Sequence, residues 1–197
     1  MVRRRTGAWV SMGQYFGIDS RIAFVALIAL VAIQRLVEMS ISRRNYRRAL
    51  ARGGVESGAE HFPWMAAMHA AFLVAGPAEV LLLVRPWVPP LAAAMVSLLI
   101  LAQVLRYWAV SALGDRWTAR VVCVPGDPLV TTGPYRWLRH PNYLAVVMEF
   151  ITLPLVHTAW LTAATFSVAN AVVLRRRIAV EEDALRRYCH RPEGSRA

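Results

Sequence analysis

Lysine is absent from this 197-residue chain, and its 23 basic residues are all arginine. Such complete exclusion is the mark of a GC-rich coding sequence and points to a bacterium. Acidic residues number only 12, so the formal net charge is +11. A strongly basic chain raises the question of nucleic acid, yet these arginines gather at the ends of apolar runs. The positive-inside bias and anionic lipid explain that placement, and nucleic acid is set aside as a partner. Cysteine is scarce too: Cys123 and Cys189 are the only two, without metal-ligand spacing, so neither a disulfide framework nor a metal site is expected. His61, His69, His157 and His190 lack ligand spacing as well. No small-residue cleavage site follows the first apolar run, where Gln34, Arg35, Leu36, Val37 and Glu38 stand, so that run is not a signal peptide.

Hydrophobic residues make up 57% of the chain, too many for an ordinary soluble domain of this length. The expected class is an all-α integral membrane protein of one domain, with about five transmembrane helices. Ile22 to Val37 reads as the first span, and Phe62 to Val84 as the second. After a tight turn at Arg85-Pro86, a third runs from Trp87 to Leu113. Between the first two, Ser40 to His61 holds Arg43, Arg44, Arg47, Arg48 and Arg52 and the flexible pair Gly53-Gly54, which places it in the cytoplasm. Arg3, Arg4 and Arg5 then fall outside, against the charge rule. The five arginines of the loop outweigh them.

Residues 114–142 return to the cytoplasm as a loop too rich in turn residues and aromatics to be a connector. Arg120 to Val124 has β-branched character, and Pro125-Gly126-Asp127-Pro128 is a strong turn signal. Tyr143 to Leu174 offers about 32 apolar residues, roughly 48 Å if helical, against a hydrocarbon core of about 30 Å. One straight span is too long and two full spans are too short. A compact helical hairpin turning near Pro154 resolves this, and it carries Arg175, Arg176, Arg177, Glu181 and Glu182 back to the face that holds His140. Residues 175–197 form a cytoplasmic C-terminal tail.

Polar chemistry concentrates in two places. The first is Gly133 to Tyr143, where Pro141 suits the first position of a helix because the early amides have no internal partner. Those amides and the dipole favour an anion beside His140, with Arg136 and Arg139 adding charge. The second is Asn170 to Tyr188, where Asn170, Leu174, Arg177 and Glu181 share a helix face. Each has a plain alternative. Arg177 and Glu181 suit an exposed i,i+4 pair; His140 suits an interface cap within an aromatic belt of Tyr135, Trp137 and Tyr143. Glu79, beyond a break at Gly76-Pro77, is an intramembrane carboxylate far from this end and reads as a structural hydrogen-bond partner or a snorkelling side chain. Gln103, Arg106 and Tyr107 either wall a site or pack; Glu181, Glu182 and Asp183 read first as solvated charge.

The run Arg139-His140-Pro141-Asn142-Tyr143, followed after the hairpin by Arg177 and Glu181-Glu182-Asp183-Ala184-Leu185, resembles the isoprenylcysteine carboxyl methyltransferase family. Leu129-Val130-Thr131-Thr132-Gly133-Pro134-Tyr135 resembles that family's approach to the motif, and the likeness covers roughly residues 100 to 188. Phospholipid methyltransferases and some sterol reductases carry a similar pair of motifs. The stretch from Arg106-Tyr107-Trp108 through Glu149 looks like bacterial members that methylate alkyl polyketides such as pyrones and resorcinols.

The resemblance implies S-adenosylmethionine as cofactor, held at the cytoplasmic boundary of the bacterial inner membrane, and a lipophilic acceptor reaching it from the lipid. Leu129, Val130 and Tyr135 would line the cofactor. His140, Pro141, Asn142 and Tyr143 would hold it, Glu181 would bind its ammonium, and Arg177 would face the acceptor's anionic oxygen. Glu149 or Arg177 would assist removal of a phenolic proton. Membrane lipids are the other expected partners, and no obligate protein partner is implied. Two departures stand out: the aromatic, proline-containing tail is missing beyond Arg191-Pro192-Glu193, and Asp127 occupies a place where a histidine is common. Two other readings share these features, a nicotinamide-dependent membrane reductase and a non-catalytic lipid-binding scaffold.

Overall fold

The computed structural model describes residues 14–15 and 18–189; Arg3 to Arg5, His190 and Arg191-Pro192-Glu193 lie outside them. After a minimal ladder of β1 (Gln14–Tyr15) and β2 (Ile18–Asp19), α1 runs over Ser20–Ala51. Asp19 caps it, its carboxylate accepting from the Arg21 amide at 2.9 Å. At 32 residues α1 is about 48 Å long. The expected break after Val37 does not occur: the arginine-rich stretch continues the helix for four further turns. Arginine, alanine and leucine are good helix formers. Tertiary contacts also hold the extension, because Asn45 Nδ2 donates to the Trp117 carbonyl at 2.9 Å and Ser42 Oγ accepts from the Ala119 amide at 2.8 Å.

Beyond Gly53-Gly54, β3 (Val55–Ser57) pairs antiparallel with β4 (Val121–Cys123), Val55 opposite Cys123 and Ser57 opposite Val121. The expected helical architecture holds, with two small two-stranded ladders added to it, of which β3–β4 ties the loop before the second helix to residues 114–142. A strand edge of three residues leaves little sequence signal, and its partner lies 66 positions away.

α2 (Phe62–Leu82) carries Pro77 without the expected break. Its Gly76 is buried against Phe24 and Ile28 of α1, at a distance where a Cβ would make only ordinary contact. α3 (Pro89–Leu113) opens on two prolines, where no hydrogen bond is lost. α4 (Pro141–Leu155) is only about 22 Å long and turns back through Val156–Ala159 into α5 (Trp160–Tyr188). The hairpin is as expected; the reversal falls just after Pro154, whose carbonyl accepts the Ala159 amide at 3.0 Å. α5 is continuous, so its apolar half and its arginine-glutamate half form one rod. α1, α2 and α3 are long and apolar enough to cross a membrane, and α4 is a shorter apolar helix.

The apolar core joins Phe24, Ile28 and Val31 of α1 to Phe72 and Val80 of α2, Leu99 of α3, and Phe150 and Leu153 of α4. Leu30, Ile33 and Leu36 on α1 and Ile100, Leu101 and Val104 on α3 face outward, as lipid-facing positions do. Within the bundle lies a compact polar network. Arg106 forks onto Glu38 at 2.9 and 2.6 Å; Arg35 bridges Glu38 and Glu149; Gln34 donates to Gln103 at 2.9 Å and Gln103 to Glu149 at 3.1 Å. Two cations and two anions balance, and the network locks α1, α3 and α4 together. Gln103 and Arg106 are thus packing residues, and Tyr107 is exposed.

Glu79 takes the structural role. It accepts from the Leu161 amide at 3.1 Å, the Thr162 amide at 2.6 Å and Thr162 Oγ1 at 2.7 Å, and pairs with Arg85 at 2.7 Å. A carboxylate from α2 thus satisfies the free amides at the start of α5, where the dipole favours negative charge.

Candidate active site

The site is built from a backbone turn upward. Gly133, at φ +59°, opens a 3-10 turn over Gly133–Arg136. A Cβ there would lie 2.9 Å from that of Ala112 and 3.2 Å from Trp108 Nε1, so only glycine lets the turn seat against α3. Pro134 then accepts the amides of Trp137 and Leu138, and the chain reaches His140, whose carbonyl takes the Tyr143 and Leu144 amides. With Pro141 at the first helical position, α4 begins as the sequence predicts.

From that start, His140 stacks on Tyr143 with ring centroids 5.3 Å apart and planes 18° apart. α5 supplies the other half. Arg177 Nε donates to the Tyr143 hydroxyl at 2.8 Å, and that hydroxyl donates to Glu181. His140 Nδ1 lies 3.7 Å from Glu181, and its Nε2 lies 3.3 Å from Glu182. Arg177 Nη1 also reaches the Met65 sulfur of α2 at 3.2 Å. Among the described residues no ion pair joins Arg177 to Glu181; Tyr143 stands between them. The plain i,i+4 reading therefore gives way to a cluster drawn from two distant motifs.

Charge follows this packing. Hydrogen bonding to Glu181 raises the His140 pKa above its ordinary value, against the opposing effect of partial burial. Burial works to raise the pKa of Glu181, but His140, Tyr143 and Arg177 together hold it below the usual carboxylate range. Burial, with Glu181 adding to it, raises the Tyr135 phenol. Burial also pushes the Cys123 thiol up to about 12, and neighbouring Cys189 adds to the shift. Such a thiol is a poor nucleophile.

Three cavities meet at this cluster. A small one of about 50 Å³ is lined by Tyr135, His140, Asn142, Tyr143, Arg177 and Glu181. A larger one of about 430 Å³ shares Glu181 with it and extends past Leu129 and Val130 to the end of α1. A third, of about 240 Å³, shares Arg177 and runs between Phe62, Trp64 and Met65 on one side and Val172, Val173 and Val180 on the other. Trp64 and Val172, which line it, are strongly exposed. Asn142 Oδ1 is buried without a hydrogen-bond partner among the described residues. An acceptor so placed, next to a carboxylate, suits a ligand that brings N–H groups.

Of the residues expected at the site, Leu129, Val130, Tyr135, His140, Asn142, Tyr143, Arg177 and Glu181 line these cavities, whereas Pro141 lines none of them and serves as the first residue of α4; other wall residues had no counterpart in the sequence reading. Arg48 of α1 and Arg52 at its C-cap, Asp115, Arg116, Trp117 and Thr118, and Met65 of α2 all join the walls. Arg120 bonds Glu56 at 2.7 Å and lies over Phe62, closing the space between the two larger cavities. None of these has a local motif; each reaches the walls through packing between elements distant in sequence. Glu149 sits in the Arg35–Gln103 network and does not line the cavities at Tyr143.

Comparison with known proteins agrees with the motif pair. The model of the isoprenylcysteine carboxyl methyltransferase family matches residues 95–187. The chain is 39% identical over 168 residues to an uncharacterised protein, YpbQ, of Bacillus subtilis (strain 168), covering 84% of this chain and 98% of the relative. The chain belongs to the isoprenylcysteine carboxyl methyltransferase family. An uncharacterised protein of Haemophilus influenzae is 26% identical over 165 residues, covering 83% of this chain and 93% of that one. Membership identifies an integral membrane protein of methyltransferase type whose substrate is lipophilic. The matched segment runs from α3 to the end of α5 and contains Leu129, Val130, Tyr135, His140 to Tyr143, Arg177 and Glu181; α1 and α2 lie outside it.

Proposed function

We propose that the protein is an S-adenosylmethionine-dependent O-methyltransferase acting on a lipophilic acid or phenol, its site at the cytoplasmic edge of the bacterial inner membrane. The observation that carries this reading is the position of Glu181. It closes one end of a cavity large enough for a nucleoside, meets His140 and Tyr143, and stands one helical turn from Arg177 at the mouth of an apolar cavity.

The residues fit the cofactor. Glu181 and the unpartnered Asn142 Oδ1 accept from an ammonium, and Leu129 and Val130 give apolar walls. When bound, the cofactor supplies an electrophilic methyl on a sulfonium. Arg177 holds the acceptor oxygen, favouring its anionic form; its guanidinium is always charged and can fork onto a carboxylate or enolate. Tyr143 fixes the guanidinium by accepting from Nε. The cavity between α2 and α5 takes the acceptor's tail from the side, which leaves only the head to be aligned and keeps water away. A carboxylate or acidic hydroxypyrone arrives ionised, whereas a phenol with pKa about 10 depends on Arg177 to ease its proton loss. A prenylcysteine-like carboxylate is one acceptor of this class; in a bacterium we place an alkyl pyrone or resorcinol there.

The test is binding followed by product. S-adenosylhomocysteine is expected to bind the purified protein and to weaken at least about 10-fold in His140→Ala and Glu181→Ala, the loss of a charged hydrogen bond. Membranes containing the protein, given methyl-labelled cofactor and lipid extracts, should then yield a labelled lipid. Binding of a reduced nicotinamide instead would make it a reductase, and binding of neither would leave a scaffold.

A further inference from the structure

We propose that Asp127 accepts the ribose hydroxyls of the cofactor and that Arg52, the residue that caps the end of α1, is its positioning residue. The assignment rests on the reading of the 430 Å³ cavity as the nucleoside pocket. Three carboxylates line that cavity: Asp115, Asp127 and Glu181. Asp115 is 68% exposed and paired with Arg48, so it offers little to a buried ligand. Glu181 belongs to the cluster at the inner end. Asp127 is 19% exposed and lines the same cavity.

Its surroundings fix it. Oδ1 accepts from Arg52 Nη2 at 2.7 Å, while Arg116 Nε stands 3.8 Å from Oδ2. An ionised carboxylate has about four acceptor directions, so Oδ2 keeps capacity for hydroxyl donors. The backbone beneath is pinned from three sides. The Gly126 amide donates to the Tyr188 carbonyl at 3.0 Å, the Asp127 amide to the Val124 carbonyl at 3.1 Å, and Arg116 to the Pro128 carbonyl at 2.6 Å. Gly126, at φ +86°, permits the turn. A loop carboxylate held by α1, α5 and Arg116 is preorganised, and a vicinal diol is the ligand chemistry that offers it two O–H donors, as acidic residues serve ribose in dinucleotide sites.

Isothermal titration of the detergent-purified full chain with S-adenosylhomocysteine and its 2′,3′-dideoxy analogue tests this. The wild type is expected to bind the dideoxy analogue about 10- to 100-fold more weakly. Asp127→Asn and Asp127→Ala should weaken S-adenosylhomocysteine by a similar factor and bind both ligands within about 3-fold of each other. Arg52→Gln should shrink the wild-type ratio without abolishing it. Variants that lower the ligand-free melting midpoint yet keep the full ratio would reduce Asp127 to an ion-pair strap and overturn the assignment. A wild type that binds S-adenosylhomocysteine but ignores the hydroxyls overturns it too, leaving the cofactor reading intact; no binding at all removes both.

Discussion

Tyr143 is the residue on which the two motifs converge. Its hydroxyl accepts from Arg177 and donates to Glu181, so it holds a cation and an anion apart at fixed spacing. Tyr143→Phe keeps the ring and its stack on His140 but strips both charged groups of a partner. Charged hydrogen bonds contribute about 1.5–3 kcal/mol, so S-adenosylhomocysteine affinity should fall about 10- to 100-fold, read by titration, with little change in fold. His140 and Glu181 also set a pH dependence. His140 has a raised pKa in the folded protein, so its contribution to stability is complete below about 6.5 and is lost as pH rises through the raised value. Glu181 has a lowered pKa, so its contribution is complete above about 4.5 and is lost as pH falls through the lowered value. From this pair, stability should plateau between those limits and decline on either side. His140→Gln should flatten the alkaline decline in melting curves taken across pH.

At the scale of elements, the hairpin of α4 and α5 depends on a partner from outside it. Helix starts are usually capped by the residue before them, yet no side chain of Ala159 can do this for α5. Glu79, 83 residues earlier than Thr162, does so instead. Glu79→Gln keeps the shape and removes the charge that faces the dipole and Arg85. The expected cost is about 1–2 kcal/mol, as for loss of a good cap, seen as a lower melting midpoint in detergent with S-adenosylhomocysteine affinity unchanged. The separation of the two readouts follows from geometry: Glu79 acts at the start of α5, and Glu181 stands near its end.

For the molecule as a whole, the network of Arg35, Glu38, Arg106, Gln103 and Glu149 decides how α1, α3 and α4 meet. Removing one member strands charge in a buried setting, so Glu38→Ala should cost about 3–5 kcal/mol. Replacing the pair together, Glu38→Leu with Arg106→Leu, should restore much of that loss, because two apolar side chains leave no stranded charge. Chemical denaturation in mixed micelles measures both. A double variant no more stable than Glu38→Ala would show that the pair serves the fold through more than charge balance. The wider consequence is that α1 and α2, outside the segment matched by the family model, complete the site walls: Arg52 and Met65 come from them.

Apolar run lengths and proline positions were enough, by themselves, to determine a helical membrane protein with a terminal hairpin, and the paired motifs marked His140, Tyr143, Arg177 and Glu181 as neighbours. Those signals are local, since periodicity and helix starts are set within a few residues. Only the tertiary structure decided that the basic stretch after Val37 extends α1, that β3 reaches β4, that Glu79 caps α5, and that Arg52 meets Asp127. Each of these joins groups 64 or more positions apart or relies on such a contact to hold it. A charged side chain reads in sequence as solvated until packing supplies an opposite charge and takes the water away.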